Sequence, residues 1–389
     1  MRIYDIIIIG GGASGLICAA TAARRRRNVL LIDHSDALGK KISISGGGRC
    51  NFTNRNISVE NYVSKDPEFC KTALCGFTPS DFISIVDRYK IKHHEKQNGQ
   101  FFCDGDAAQI VTMLVSECRR ARAEILLNCQ IKNITKGEGF EVESSRGKFR
   151  SDALVIATGG MSVPKTGATD FGFRIAKDFG IKLVEPRPGL VPLKLSPEDR
   201  AIFSPLSGIS IEAEIKYNDI SFRGDILFTH RGLSGPAILN ISSYWKHGEP
   251  ISIDFLPGKN LFEILKANSS RKIELANLLA SVVPRRFAHR FCEAFFDSRR
   301  MVQYSQKEIQ NIAAKIHDFI LHPSGTEGFA YAECTVGGVS TAELSPATME
   351  SKRVGGLFFI GEVIDVAGNI GGYNLQWAWS SGVAAGKTA

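Results

Sequence analysis

The chain has 389 residues, a formal net charge of +8, 43% hydrophobic and 23% charged residues. That length lies beyond the point where one hydrophobic core keeps growing, so two or three structural units are expected, and the composition excludes disordered, collagen-like and fibrous classes. Nine cysteines without a C-x-x-C pair argue against a disulfide framework and for a reducing compartment, and no apolar run reaches the roughly 18 residues of a membrane span.

No signal-peptide pattern precedes the first apolar strand, so a cytoplasmic location away from membranes is expected. The basic residues fall in separate runs: Arg24 to Arg27, then Arg119, Arg120 and Arg122, then Arg285, Arg286 and Arg290. Each is read as a solvated face or as cations at a helix C-terminus, where the macrodipole favours them.

Ile6 to Ile9 form a β-branched run suited to a parallel strand buried on both faces. Gly10-Gly11-Gly12-Ala13-Ser14-Gly15 follows, then the small apolar residues of a tightly packed helix, then a second strand, Val29 to Ile32, ending in Asp33. This strand–glycine loop–helix–strand order makes the G-x-G-x-x-G spacing specific. Gly10 allows the tight turn, Gly12 the approach of a pyrophosphate and Gly15 close helix packing, while Asp33, 18 residues beyond Gly15, is placed for a ribose diol.

Residues 39 to 54 read as a polar, glycine-rich loop with almost no core residues, and such a loop needs a ligand to satisfy its backbone. Lys40, Lys41 and Arg49 add positive charge there. Helices are expected over Phe77 to Tyr89 and Ala107 to Arg120, and a meander of short strands over 126–151. A buried strand, Ala153 to Ala157, then runs into Thr158-Gly159-Gly160, a turn with room for a ligand.

From Leu190 the pattern changes to alternation, as in Ile209 to Tyr217, the period of a half-exposed antiparallel strand. Helical spacing takes over between Leu261 and Leu321, with Pro284 opening a helix. Gly356 to Glu362 returns to a buried strand, and Gly371-Gly372-Tyr373-Asn374-Leu375-Gln376 starts a closing helix whose N-terminus is aimed at whatever the glycines admit.

Two segments carry a wider resemblance: Ser45 to Asn54 (SGGGRCNFTN) and Gly371 to Gly382 (GGYNLQWAWSSG). Through them the chain resembles, over nearly its whole length, the BaiN-like or YhiN-like family of bacterial FAD-dependent oxidoreductases. The fold class implied is α/β: a FAD-binding Rossmann-like domain of the two-dinucleotide-fold type, interrupted by a β-barrel-like domain that carries a small helical insert. The ranges are 1–189 with 346–389 for FAD, 190–258 with 326–345 for the barrel, and 259–325 for the insert. The resemblance also implies FAD contacts at Ala13, Ser14, Asp33, Lys41, the Gly46, Gly47, Arg49, Cys50 and Asn51 loop, the main chain near Ile131, and Gly361, Glu362, Asp365, Asn374, Leu375 and Gln376. Thr158 and Gly159 join this set as the second approach to the cofactor.

Family members differ in substrate, so fold and cofactor transfer and the reaction does not. The expectation is a FAD-dependent oxidoreductase acting on a small organic molecule; only one dinucleotide fingerprint is visible, so a nicotinamide donor, NAD(P)H, would dock transiently, and the sequence leaves an NAD(P)H-driven reductase, an oxygen-using oxidase and a dehydrogenase fed by another carrier all open. A nucleic-acid-associated flavoprotein is the alternative raised by the charge; without a recognised RNA module or aromatic–basic interleaving, nucleic acid ranks behind a small molecule. No catalytic residue is assigned. Cys50 lacks a partner cysteine, His230, Arg231 and Lys165 are weak substrate candidates, and no His/Cys pattern suggests a metal.

Overall fold

Burial on both faces explains why β1 (Arg2–Ile9) sits in the middle of a sheet: Ile6, Ile7 and Ile8 are almost wholly enclosed. In the computed structural model, which describes residues 1–297 and 299–389, β1 pairs in parallel with β2 (Val29–Ile32) on one side and with strand Gly147–Ile156 on the other. Glu124–Leu126 extends the sheet beyond β2, and Leu357–Phe359 pairs in parallel with the end of Gly147–Ile156. The C-terminal ends of these parallel strands therefore share one edge, the position where open α/β sheets bind ligands.

Helix α1 (Ala13–Arg24) joins β1 to β2, and its small residues are buried against the closing helix, Tyr373–Thr388. A Cβ on Gly382 would lie 2.6 Å from the Ser14 carbonyl oxygen, and one on Gly386 2.8 Å from that of Cys18. The first and last helices thus touch almost backbone to backbone, which ties the two chain ends into one unit, Met1–Pro188 with Glu333–Ala389.

Three local readings change. The strand expected to break near Ser151 is one strand, Gly147–Ile156, whose first half pairs antiparallel with Phe140–Ser144 and whose second half pairs parallel with Leu357–Phe359. Exposed Asp152 marks the change of partner, not an end. Residues 39–54 are not a bare loop: Lys40–Ile44 is a short helix and Asn51–Asn54 a strand on Gln100–Cys103, with Ile42, Phe52 and Thr53 buried. The helix expected from Phe77 begins after Thr78, which forms a capping box with Asp81.

The second unit is Gly189–Ala332. Among the described residues its sheet is an antiparallel path of seven strands, from Phe319–Leu321 through Ile251–Asp254, Ser210–Tyr217, Ile220–Phe228, Gly232–Ser234 and Leu193–Lys194 to Gly325–Thr326. The two end strands are not paired with each other, so the sheet is an open path; three and two residues long, they flank Pro323, which has no N–H to give a ladder. The helices of 259–325 share the sheet's core: Phe287 lies 4.8 Å from Phe255 and Phe291 5.6 Å from Phe319, between ring centroids. Residues 333–345, read from sequence with the barrel, lie in the first unit, where Cys334–Val339 pairs with Leu183–Gly189.

The third basic run also differs from expectation. Arg285 and Arg286 open the helix Arg285–Phe295 instead of closing one. Arg286 donates to the Pro205 carbonyl, and Arg290 to those of Ala201 and Ile202 at 2.8 Å each. No helix among the described residues is long and apolar enough to cross a membrane.

Candidate functional site

The glycine loop after β1 is shaped by contacts that exclude any side chain. Gly10 has φ +113°, and a Cβ there would lie 2.4 Å from the Ala157 carbonyl oxygen; one on Gly15 would lie 1.9 Å from the Gly10 oxygen. At Gly12 nothing lies within 4 Å, so the loop faces open space beside the unpaired N–H groups of the first turn of α1. Asp33 braces it: Oδ2 accepts from Gly11 N–H at 2.6 Å and Oδ1 from Ser35 N–H at 2.7 Å. The Asp33 carbonyl accepts from Cys129 N–H, which brings the start of strand Ile131–Lys136 to the same edge.

A polar cluster sits where the strand Gly147–Ile156 and residues 361–362 end. Lys41 Nζ donates to Glu362 Oε2 at 2.6 Å and to Ser162 Oγ at 2.5 Å. Ser162 Oγ donates to Glu362 Oε1 at 2.8 Å, and Thr335 N–H donates to the same oxygen at 2.9 Å. Lys41 and Glu362 were expected at the site, but Ser162 and Thr335 were not. Ser162 is fully buried just past the Thr158-Gly159-Gly160 turn, a polar residue in a segment that leaves the core, and that was its only local signal. Lys40 pairs with Asp36 instead, and Arg49 is exposed without an ion pair among the described residues.

Gly46, Gly47 and Gly48 all have positive φ, which explains the glycine run. Cys50 is buried, and desolvation pushes its thiol up to about 12. It is therefore a neutral packing group, not a thiolate. Cys50→Ala should leave flavin reduction within about threefold of wild type, with no new break in the rate profile between about pH 6 and 10; a hundredfold loss would restore a chemical role to this thiol.

The closing helix meets strand Asn51–Asn54 closely: a Cβ on Gly372 would lie 2.5 Å from the Thr53 carbonyl oxygen. Asn51 lies with its amide 2.9 Å from that of Gln100. Gln376 is buried, accepting from Thr53 Oγ1 at 2.6 Å and donating to the Phe77 carbonyl at 2.9 Å. Asn374 clamps Gly368, accepting from its N–H and donating to its carbonyl, both at 2.8 Å. The side chains of Asn374 and Gln376 are thus committed inside the protein, and what this segment can offer a ligand is the free N–H groups of Tyr373, Asn374 and half-buried Leu375.

Gly361 touches the first helix, since a Cβ on it would lie 2.6 Å from Ser14 Oγ. Asp365 is 2% exposed, accepts from Lys65 N–H at 3.0 Å, and burial raises its carboxyl above the usual range. Thr158 Oγ1 is buried with no hydrogen-bond partner among the described residues, and Gly159 faces open space. Lys165 is exposed in the turn Pro164–Thr166. In the second unit His230 is exposed, and Arg231 reaches Glu327 and Tyr331. Among the described residues no group of three His, Cys, Asp or Glu could hold a metal.

The HI0933-like protein Rossmann domain family matches residues 4–388. The chain belongs to this family. It is 44% identical over 358 residues to the "Ribosomal RNA dihydrouridine synthase" of Escherichia coli (strain K12), covering 91% of this chain and 90% of that protein. It is 29% identical over 381 residues to the "3-dehydro-bile acid delta(4,6)-reductase" of Clostridium scindens, covering 93% and 92%. In fold it resembles the 3-ketosteroid-delta4-(5alpha)-dehydrogenase of Rhodococcus jostii RHA1, with a TM-score of 0.52, 12% identity, and coverage of 100% and 97%.

This member of the HI0933-like family is a flavoenzyme, a FAD-dependent oxidoreductase. Its residues fit the cofactor. The Gly10–Gly15 loop leaves an open cradle at Gly12 that a side chain would fill, and Thr158 presents a buried hydroxyl without a partner among the described residues. The helix starts at Ala13 and Tyr373 leave N–H groups that could receive a pyrophosphate and a ring carbonyl.

Proposed function

We propose that this flavoenzyme reduces a carbon–carbon double bond conjugated to a carbonyl, and that its acceptor is a uracil ring in ribosomal RNA. The observation carrying this reading is one bond change common to two relatives with unlike acceptors. Making dihydrouridine saturates the ring C5–C6 bond conjugated to a carbonyl, and a delta(4,6)-reductase of a 3-dehydro-bile acid saturates bonds conjugated to its 3-ketone. FAD held by the chain's residues and reduced by a donor such as NAD(P)H would supply the hydride that the far carbon of such a bond requires, with the proton for the near carbon coming from water or an acid.

The chain's own part is to hold and polarise. In this reading the Gly10–Gly15 loop and Asp33 fix the dinucleotide, with Ala13, Ser14, Lys41, Gly46, Gly47, Asn51, Ile131, Thr158, Gly159, Gly361, Glu362 and Asp365 around it. The N–H groups at Tyr373 to Leu375 and the positive end of their helix would favour negative charge on a ring bound there. Nine free cysteines accord with a cytoplasmic setting.

Charge supports the RNA acceptor. Segment 259–325 holds eleven Lys and Arg against six Asp and Glu. Within it Arg271, Lys272 and Arg300 are exposed and free of ion pairs among the described residues, on two stretches joined by the Glu274–Arg300 bridge. The triple change R271E/K272E/R300E should weaken rRNA binding and reduce the slope of log affinity against log salt by about 0.7 to 0.9 per lost phosphate contact. An unchanged slope would remove this surface from the account. The second reading, a small cyclic enone as acceptor, is favoured by the bile-acid relative and predicts turnover of enones with no rRNA binding.

A further inference from the structure

We propose that Asn369 reads an imide edge, accepting the ring N–H that lies between two carbonyls in both a flavin and a uracil. Asn369 is 8% exposed, and its Oδ1 is buried with no hydrogen-bond partner among the described residues. An unpaired buried amide oxygen costs free energy comparable to a lost hydrogen bond, so a ligand that meets it gains what the fold leaves unmet.

The residue is held in place by its backbone. Asn369 N–H donates to the Asn61 carbonyl at 2.9 Å, and the preceding Ala367 and Gly368 pair with Val63 and Tyr62. Gly368 is clamped by the Asn374 amide and packs so closely on the helix start that a Cβ there would lie 2.6 Å from that of Tyr373. Gly371 and Gly372, with φ +123° and +96°, then turn the chain straight into the helix Tyr373–Thr388.

The segment that carries an orphaned acceptor is therefore packed, one residue earlier at Gly368, against the helix start whose N–H groups are orphaned donors. A phosphate or carboxylate would use the donors and be repelled by Oδ1. An imide suits both, because its carbonyl accepts from the helix N–H groups while its N–H donates to Asn369. The flavin's pyrimidine ring and a substrate uracil offer this same edge; the uracil arm rests on the rRNA reading above, and the flavin arm does not.

The test uses wild type, Asn369→Leu and Asn369→Asp, loaded with FAD or with FAD methylated at the imide nitrogen. If the flavin is the imide, wild type prefers FAD over the methylated form by about tenfold, Asn369→Leu loses that preference, and the visible flavin band shifts. If uracil is the imide, the flavin preference and spectrum are the same in all three proteins. The KM for a uridine-bearing rRNA fragment then rises about tenfold in Asn369→Leu, with a smaller change in kcat and none in enone reduction. Equal flavin preference, equal spectra and equal KM across the three proteins overturn the proposal. Absence of rRNA turnover by wild type defeats the rRNA reading alone, since the methylated-flavin comparison still decides the flavin arm.

Discussion

Gly15→Ala is expected to yield protein that does not retain FAD and unfolds well below the wild-type temperature. Its Cβ would lie 1.9 Å from the Gly10 oxygen and 3.2 Å from Ala157 Cβ. Gly10 cannot retreat, because its N–H is bonded to the Ile32 carbonyl at 2.8 Å and Ala157 closes its other side. Forcing a methyl group into such a contact costs about 1–3 kcal/mol where the surroundings yield and more where they are backbone. Gly12→Ala is the contrasting case: with open space around its Cβ the fold should keep its stability, and only FAD binding should suffer. Flavin content per chain and thermal unfolding of the two variants check this. Equal FAD retention in Gly15→Ala and wild type would mean that the loop is not the close-packed turn described.

Asp33→Ala should weaken FAD binding by roughly 1–3 kcal/mol, the range for losing charge-assisted hydrogen bonds. The carboxylate accepts from Gly11 and Ser35 N–H groups, so its loss loosens the loop as well as removing an acceptor for a ribose hydroxyl. Asp33→Asn should fall between the two, because one amide oxygen can serve only one of those two positions while the amide nitrogen faces the other donor. Titration of FAD into the apoproteins, followed by flavin fluorescence, gives the three constants. Wild-type affinity in Asp33→Ala would contradict the bracing role and the ribose placement together.

The parts of this fold legible in the sequence are those set by neighbouring residues. The Ile6–Ile9 run, the glycine spacing and Asp33 lie within one βαβ unit, where strand burial and turn geometry act over a few positions. Local pattern misleads where a partner decides. Ser151-Asp152 looks like a break because polar residues end most strands, yet a change of pairing partner lets the strand continue. Residues 39–54 look like a loop because Ile42 and Phe52 are isolated, and only distant residues, Phe82, His93 and Phe101, turn the second of them into core. Ser162 and Thr335 reach Glu362 from positions far apart in the chain, so no spacing could announce them. Gln376 stands in a segment that resemblance assigns to FAD, yet its amide bonds to Thr53 and Phe77; sequence places a residue near a site and leaves open which way its side chain turns.

The measurement that tests the central claim most directly is a single anaerobic turnover. The FAD-loaded protein is reduced with NADPH or NADH, mixed with rRNA lacking dihydrouridine or with a cyclic enone, and followed by the visible flavin band and by mass spectrometry of the acceptor. The account predicts that the band returns on mixing with rRNA and that one uridine gains the mass of two hydrogens. A reduced flavin that neither acceptor reoxidises, with no gain in mass in either, would contradict the assignment of this protein as a reductase of conjugated double bonds.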